Sequence, residues 1–435
     1  SARRMRSSKD VRMVLLLRCG AYKMHEKCII SIRRMSRTVL PIAPAEGRAN
    51  PALIGWPVLR LGFRPFYLGA AGLAAVSVPL WIAMFLGRVH VNVPVPPMLW
   101  HAHEMLYGFA VAVIIGFLLT AGKSWTGLPT PRGAALGALA SLWLAARLAA
   151  FGAPHLVYAV LDLALLPIVA VVFLRLLIRA GNRRNLPIGG ILVLLSLSNV
   201  AFHLSTSGWL LVSPLQVLHA ALALIVLIEC VIAGRVVPVF TVNVTPGLHI
   251  QPRPRLEQCT MLITVLALLM WVVLPANGGT GLALSAAAAL HAMRLVRWQS
   301  WVTHDRPILW ILHAAYLWMP VGFALLGAAQ WGLVSVSVGI HALMVGVTGG
   351  LIIGMITRTA RGHTGREMKA SRLEVAAYGL VLGAALVRVL VPIVWPQGLV
   401  LGLVAAAVAW SLAFVLYLFV YAPWLVTTRL DGKDG

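Results

Sequence analysis

Trp100-His-Ala-His-Glu-Met-Leu-Tyr-Gly-Phe-Ala-Val-Ala-Val-Ile-Ile-Gly-Phe-Leu-Leu-Thr-Ala-Gly122 decides the fold. Its polar groups crowd into the first residues, and the rest is apolar. The hydrocarbon core of a bilayer takes about 20 such residues as one helix. Working outward on that criterion gives twelve spans: 66–87, 100–122, 133–152, 156–179, 187–207, 213–237, 258–275, 279–298, 307–330, 333–357, 373–393 and 399–423. Composition agrees. Of 435 residues, 60% are hydrophobic and 11% charged, where a soluble domain carries about 25% charged residues. A soluble fold of this size is excluded.

The formal net charge is +24. In a soluble chain that would point to nucleic acid; here it is loop charge, and nucleic acid is not an expected partner. Residues 1–64 hold 14 Lys/Arg, and further basic residues fall in alternate loops at Lys123, Arg132, Arg179–Arg184, Arg253, Arg255, Arg294–Arg306, Arg358–Arg372 and Arg429. The positive-inside rule then places both termini in the cytoplasm. Residues 1–51 read as a basic extension, disordered or partly non-native with a natural start at Met35. Residues 52–425 read as one transmembrane domain and 426–435 as a cytoplasmic tail. The four cysteines form no CxxC and no haem-attachment CxxCH.

The first, fifth and ninth spans open near Pro65, Pro187 and Pro307, where proline suits a helix start. The next span of each quartet carries a histidine near its non-cytoplasmic end: His103, His219, His341. His103, Gly108, Gly116 and Thr126-Gly127 align without gaps on His341, Gly346, Gly354 and Thr364-Gly365, while the middle unit has Gly234 two positions late. These are three four-helix units, about 65–180, 187–300 and 307–424. They should gather the second, sixth and tenth helices, with their histidines, round one axis.

Of 13 histidines, His101, His103, His203, His219 and His341 fall in the outer third of the membrane. One intramembrane histidine reads as a hydrogen-bonded packing residue; five at one depth read as ligands of haem or metal. His101 and His103, two apart on a helix, point about 200° from each other and should face different centres. Asn199 precedes His203 by one turn and should orient it. Tyr107 lies one turn from His103 and joins the cofactor-binding set. His313 sits deeper, as a second metal site or a partner of a hydroxyl such as Tyr316. For His291, packing is the expected role. Glu104 and Glu229 are candidate proton carriers, with helix-dipole stabilisation and protonated packing as their alternatives. Asp162 lies near the depth of Arg147 and should pair with it. Arg88, near the outer face, is the best placed of Arg64, Arg88 and Arg147 for haem propionates.

Leu61-Gly-Phe-Arg-Pro-Phe-Tyr-Leu-Gly69, Trp100-His-Ala-His-Glu-Met-Leu-Tyr-Gly-Phe109, Gly116-Phe-Leu-Leu-Thr-Ala121, Asn199-Val-Ala-Phe-His-Leu204, Gly234-Arg-Val-Val-Pro238 and the run His341 to Gly365, with Gly362-His-Thr-Gly365, resemble the NnrS family. The resemblance covers about residues 52–425. It implies haem b (one or two groups), copper, the bacterial inner membrane and protection against nitric oxide. A weaker, fold-level likeness to haem–copper oxidases rests on helix arithmetic; the His-His copper-ligand pair of their seventh helix has no counterpart here. Three readings follow. One is nitric-oxide reduction, drawing on a quinol or redox-protein donor. The second is non-catalytic nitric-oxide binding or haem/copper handling. The third is transport, which the parallel threefold repeat disfavours.

Overall fold

The computed structural model describes residues 55–274 and 276–433. The expected N-terminal extension, with His25, Cys19 and Cys28, lies outside the described residues. Twelve helices follow in order: α1 (Phe63–Phe85), α2 (Pro97–Thr126), α3 (Ala134–Ala149), α4 (His155–Arg179), α5 (Leu186–Thr206), α6 (Pro214–Val244), α7 (Pro254–Val273), α8 (Gly278–Arg297), α9 (Pro307–Gln330), α10 (Val336–His363), α11 (Arg372–Val394) and α12 (Leu399–Leu425). The described residues contain no strand, as lipid requires, since helices satisfy their own backbone groups.

Eleven of the helices are long and apolar enough to cross a membrane. The exception is α3, expected over 133–152. It has 16 residues, or about 24 Å at 1.5 Å per residue. Gly133, with φ +57°, starts it, and the turn through Gly152, with φ +81°, follows its end.

Successive helices pack side by side, and α12 returns to α1 to close a ring. Trp410 Nε1 donates to the Ala74 carbonyl at 3.1 Å, and Ser411 Oγ to that of Ala75 at 2.5 Å. Inside the ring, α2, α6 and α10 gather as the repeat requires, and they line a central cavity of about 80 Å³. The ends that carry the basic loops all lie on one side, here called the basic face.

The match between the first and third units is physical. In both, the helix widens into a π segment immediately after the histidine: Glu104–Ala110 in α2 and Ala342–Gly349 in α10. Such segments are rare and frequent at functional sites. Gly116 lies against Phe63, Phe66 and Tyr67 of α1, and Gly354 against Ile311 and Leu312 of α9; each glycine lets the second helix of its unit approach the first. Both Thr-Gly pairs end in a left-handed glycine, with φ +69° at Gly127 and +73° at Gly365. The middle unit departs because its glycine serves another purpose. Gly234 leaves room for the guanidinium of Arg294, which reaches across to Glu257 of α7.

Candidate functional site

At the end of the bundle opposite the basic face, α2, α3, α4 and α5 bury a polar cluster. Arg147 of α3 donates from Nη1 to Glu104 Oε1 at 2.8 Å and from Nη2 to Asp162 Oδ1. Asp162 Oδ2 accepts from Asn199 Nδ2 at 2.7 Å. It lies 3.3 Å from His103 Nε2 and 3.2 Å from His203 Nε2. Asp162, His103 and His203 thus present three ligand atoms within 4.8 Å of one another, all from buried residues. Such a constellation costs much unless paired, and the apolar helices around it supply no other solvation.

The outer nitrogens of both rings have partners. His103 Nδ1 lies 2.8 Å from the Tyr158 hydroxyl and 3.6 Å from Glu104 Oε1. His203 Nδ1 lies 3.3 Å from His155 Nε2. His103 is also held between the rings of Tyr107 and Phe202, at 4.7 and 4.5 Å. The π segment contributes here. It presents the Gly108 carbonyl to Trp143 Nε1 at 2.9 Å, which ties α2 to α3 beside Arg147. A cavity of about 10 Å³ lies between Tyr107, Arg147, Asp162 and Asn199, room for about one water. The Tyr107 hydroxyl is buried, with Ser198 beside it.

A second group stands on the other face of α2. His101 stacks on Trp81 of α1, with centroids 5.1 Å apart and planes 9° from parallel, and its Nδ1 is buried without a partner. His341 of α10 has His101 and Arg388 of α11 as electrostatic neighbours. Its Nδ1 lies 2.7 Å from the Ser337 carbonyl, which makes Nδ1 the protonated nitrogen and leaves Nε2 with its lone pair. Arg388 donates to Ser337 Oγ at 3.0 Å.

These positions sort the sequence expectations. His101 and His103 face different centres, and Asp162 pairs with Arg147. Asn199 orients His103 and Asp162; it makes no bond to His203, whose partners are Asp162 and His155. The repeat histidines His103, His219 and His341 do not converge, although their helices do. His103 turns to α4 and α5, His219 stacks on Trp271 of α7 at 4.7 Å, and His341 faces α11. His313 bonds the Thr241 hydroxyl at 2.9 Å, away from both groups. His291 is a packing residue held by Tyr316 and Thr264. Arg88 is exposed beyond the end of α1, whereas Arg388 stands beside the histidines. Glu229 lines the central cavity. Tyr158, His155, Trp81 and Arg388 were not among the expected site residues. Only helical phase brings them in, and the one sequence signal was depth.

The NnrS protein family model matches residues 57–429. The chain belongs to the NnrS family. No curated protein matches its sequence. The matched segment takes in all twelve helices up to the end of α12. Both polar groups of this NnrS chain therefore lie inside it, and the buried His/Asp/His cluster makes it a candidate metal-binding protein.

Proposed function

We propose that this NnrS-family chain is a haem- and metal-holding protein of the bacterial inner membrane that binds nitric oxide near the end opposite the basic face, as part of the nitric-oxide response. The observation that carries the reading is the convergence of His103 Nε2, His203 Nε2 and Asp162 Oδ2. With neutral imidazoles, each Nε2 proton points at the same carboxylate oxygen or its amide neighbour. A bound metal ion would sit where both of these protons point, with His103, His203 and Asp162 as the residues to hold it. The rings would then carry hydrogen at Nδ1, where the Tyr158 hydroxyl, itself donating to Glu104, stands to accept from His103, and His155 Nε2 to accept from His203. Partners of this kind fix ligand orientation at metal centres. Two carboxylates facing one guanidinium also leave a cation welcome. The donor set has imidazole and carboxylate and no sulfur, which suits divalent copper, iron or zinc better than monovalent copper.

The second group is where we place the haem. His101 and His341 come from two helices, each with an uncommitted ring nitrogen, and Arg388 stands beside them for a propionate. When bound, the haem supplies an iron that holds a diatomic ligand at any position no imidazole occupies. The chain's own part is to fix His341 through the Ser337 carbonyl, to brace His101 against Trp81, and to offer Arg388 as the counter-charge. Reduction of nitric oxide additionally needs electrons, from a quinol or a redox protein, and protons, for which Glu104 and Glu229 are the buried carboxyls at hand.

The test is an anaerobic visible spectrum and metal analysis of the purified full chain, with nitric oxide then added alongside a quinol analogue. The reading expects a haem b spectrum that shifts with nitric oxide, and a second metal that is lost in Asp162→Asn. His341→Ala or His101→Ala should change the haem spectrum while leaving that second metal in place. Multiple turnovers would make it a reductase, and a stoichiometric shift a binding protein. A chain free of haem and metal after expression with both supplied would refute the proposal.

A further inference from the structure

Sulfur and nitrogen donors meet among α6, α8 and α9, three helices that supply neither polar group. Cys230 of α6 places Sγ 3.8 Å from Nε2 of His291 in α8 and 3.9 Å from Sδ of Met319 in α9. All three residues are fully buried. Tyr316, Met319 and Phe323 form one stripe along α9, and both ends of that stripe touch the imidazole. The Tyr316 hydroxyl lies 2.6 Å from His291 Nδ1, and the Phe323 ring stacks on the imidazole at 5.2 Å, with planes 6° apart. Met319 stands between these two contacts. Ring and thiol are held by one guanidinium. Arg294 Nη1 donates to the Tyr316 hydroxyl and to the Cys230 carbonyl, both at 3.0 Å, while its Nε donates to Glu257 at 3.1 Å. Partners of this kind orient imidazole ligands at metal centres.

The spacings suit a three-coordinate ion. Metal bonds of about 2.3 Å to sulfur and about 2.05 Å to imidazole nitrogen, set about 120° apart, put S···N near about 3.8 Å and S···S near about 4.0 Å. His291 Nε2 also meets Thr264 Oγ1 at 2.9 Å, and that hydroxyl donates to the Thr260 carbonyl at 2.6 Å. The threonine thus accepts from the ring and keeps its own bond when the ring turns to a metal. Donor type and charge choose the ion. A thiolate and a thioether select soft metals, monovalent copper among them. A monovalent ion that takes the place of the thiol hydrogen leaves the net charge of the site as it was. A divalent ion would add a charge beside Arg294, inside the bundle where charge is costly.

We infer that Cys230, His291 and Met319 form a site for one soft monovalent metal ion of the Cu(I) and Ag(I) class. On binding, the Cys230 S–H bond breaks, a metal–sulfur bond forms, and one proton leaves to solution. The ring hydrogen of His291 moves from Nε2 to Nδ1, where the Tyr316 oxygen accepts it. No electron is transferred, so the ion arrives already monovalent. The site is separate from His103, Asp162 and His203, whose nitrogen and oxygen donors suit divalent ions, and does not rest on their role.

The probe is Cu(I) itself, offered anaerobically from a chromophoric chelator to the purified, metal-stripped full chain. Cys19, Cys28 and Cys259 are changed to serine, so that Cys230 is the one thiol left. One equivalent bound through sulfur is expected, with a thiolate-to-copper absorption in the ultraviolet and two sulfurs and one nitrogen in the copper X-ray absorption spectrum. Cys230→Ser should weaken binding by more than about tenfold, the least that loss of a supporting residue typically costs a metal site. Met319→Leu conserves volume and so keeps the fold; it should weaken binding in the same sense and remove one sulfur from the spectrum. Should Cys230→Ser fail to fold, Met319→Leu decides alone. No copper bound, binding unchanged in Met319→Leu, or copper held through nitrogen and oxygen only would each overturn the inference. Nitric oxide and haem play no part in the readout.

Discussion

Arg147 faces two carboxylates, and its removal is the sharpest single perturbation the cluster offers. Arg147→Met would leave Glu104 and Asp162 buried side by side without a cation, at a cost of about 3–5 kcal/mol. The expected result is a large fall in melting temperature in detergent, much of it restored when Glu104→Gln and Asp162→Asn are added. Full additivity of the three changes would argue that they do not act as one network. The pairing of Arg147 with Asp162 was legible in the sequence because both lie at one depth on neighbouring helices. The role of Asn199 was not. Its spacing from His203 is one helical turn, yet its amide points between helices to His103 and Asp162. Depth can be counted along a chain, but the rotation of one helix against the next depends on packing across the whole bundle. Arg388, readable as a charge on the non-cytoplasmic side, was given no role at the site for the same reason: its place beside His341 shows only once α10 and α11 are docked.

The twelve helices were readable because each must satisfy its own backbone and cover about 30 Å of hydrocarbon. Only α3 falls short. The π segments were not readable, since nothing in Glu104–Ala110 or Ala342–Gly349 departs from a helical composition; their coincidence with the repeat shows only in the backbone. Glycines in these elements fall into two classes that one experiment separates. A Cβ on Gly350 of α10 would stand 2.6 Å from the Cβ of Ala315 in α9, and alanine has no rotamer by which to yield. Gly350→Ala should therefore lower stability by about 1–3 kcal/mol, the range for overpacking. Gly190 of α5 has nothing within 4 Å of such a Cβ; Gly190→Ala should be neutral or gain up to about 1 kcal/mol from helix propensity. Thermal unfolding of the two variants side by side checks the contrast. Similar losses in both would mean that glycine is needed for flexibility and not for close approach.

At the scale of the molecule, the ring is held shut where its first and last helices meet. Arg64 is fully buried at the start of α1 and donates from Nη1 to the Leu425 and Thr427 carbonyls, both at 2.8 Å. Those carbonyls lie at the end of α12, where the helix has no partners of its own to offer and its dipole favours a cation. Arg64→Leu should thus release the end of α12. The expected signs are faster amide exchange over the last turn of α12 and a fall in stability of about 1–3 kcal/mol, with the cluster around Arg147 undisturbed. Protection of that turn equal to wild type would show that Trp410 and Ser411 hold the seam without it.

The seam also has a direction in time. Synthesis delivers α1 first and α12 last, so for nearly the whole of translation the flank of α1 that Trp410 and Ser411 will cover faces lipid. The ring is then an open crescent with its inner helices reachable from the bilayer. Only the final helix, through Trp410 and Ser411, closes that crescent into a ring.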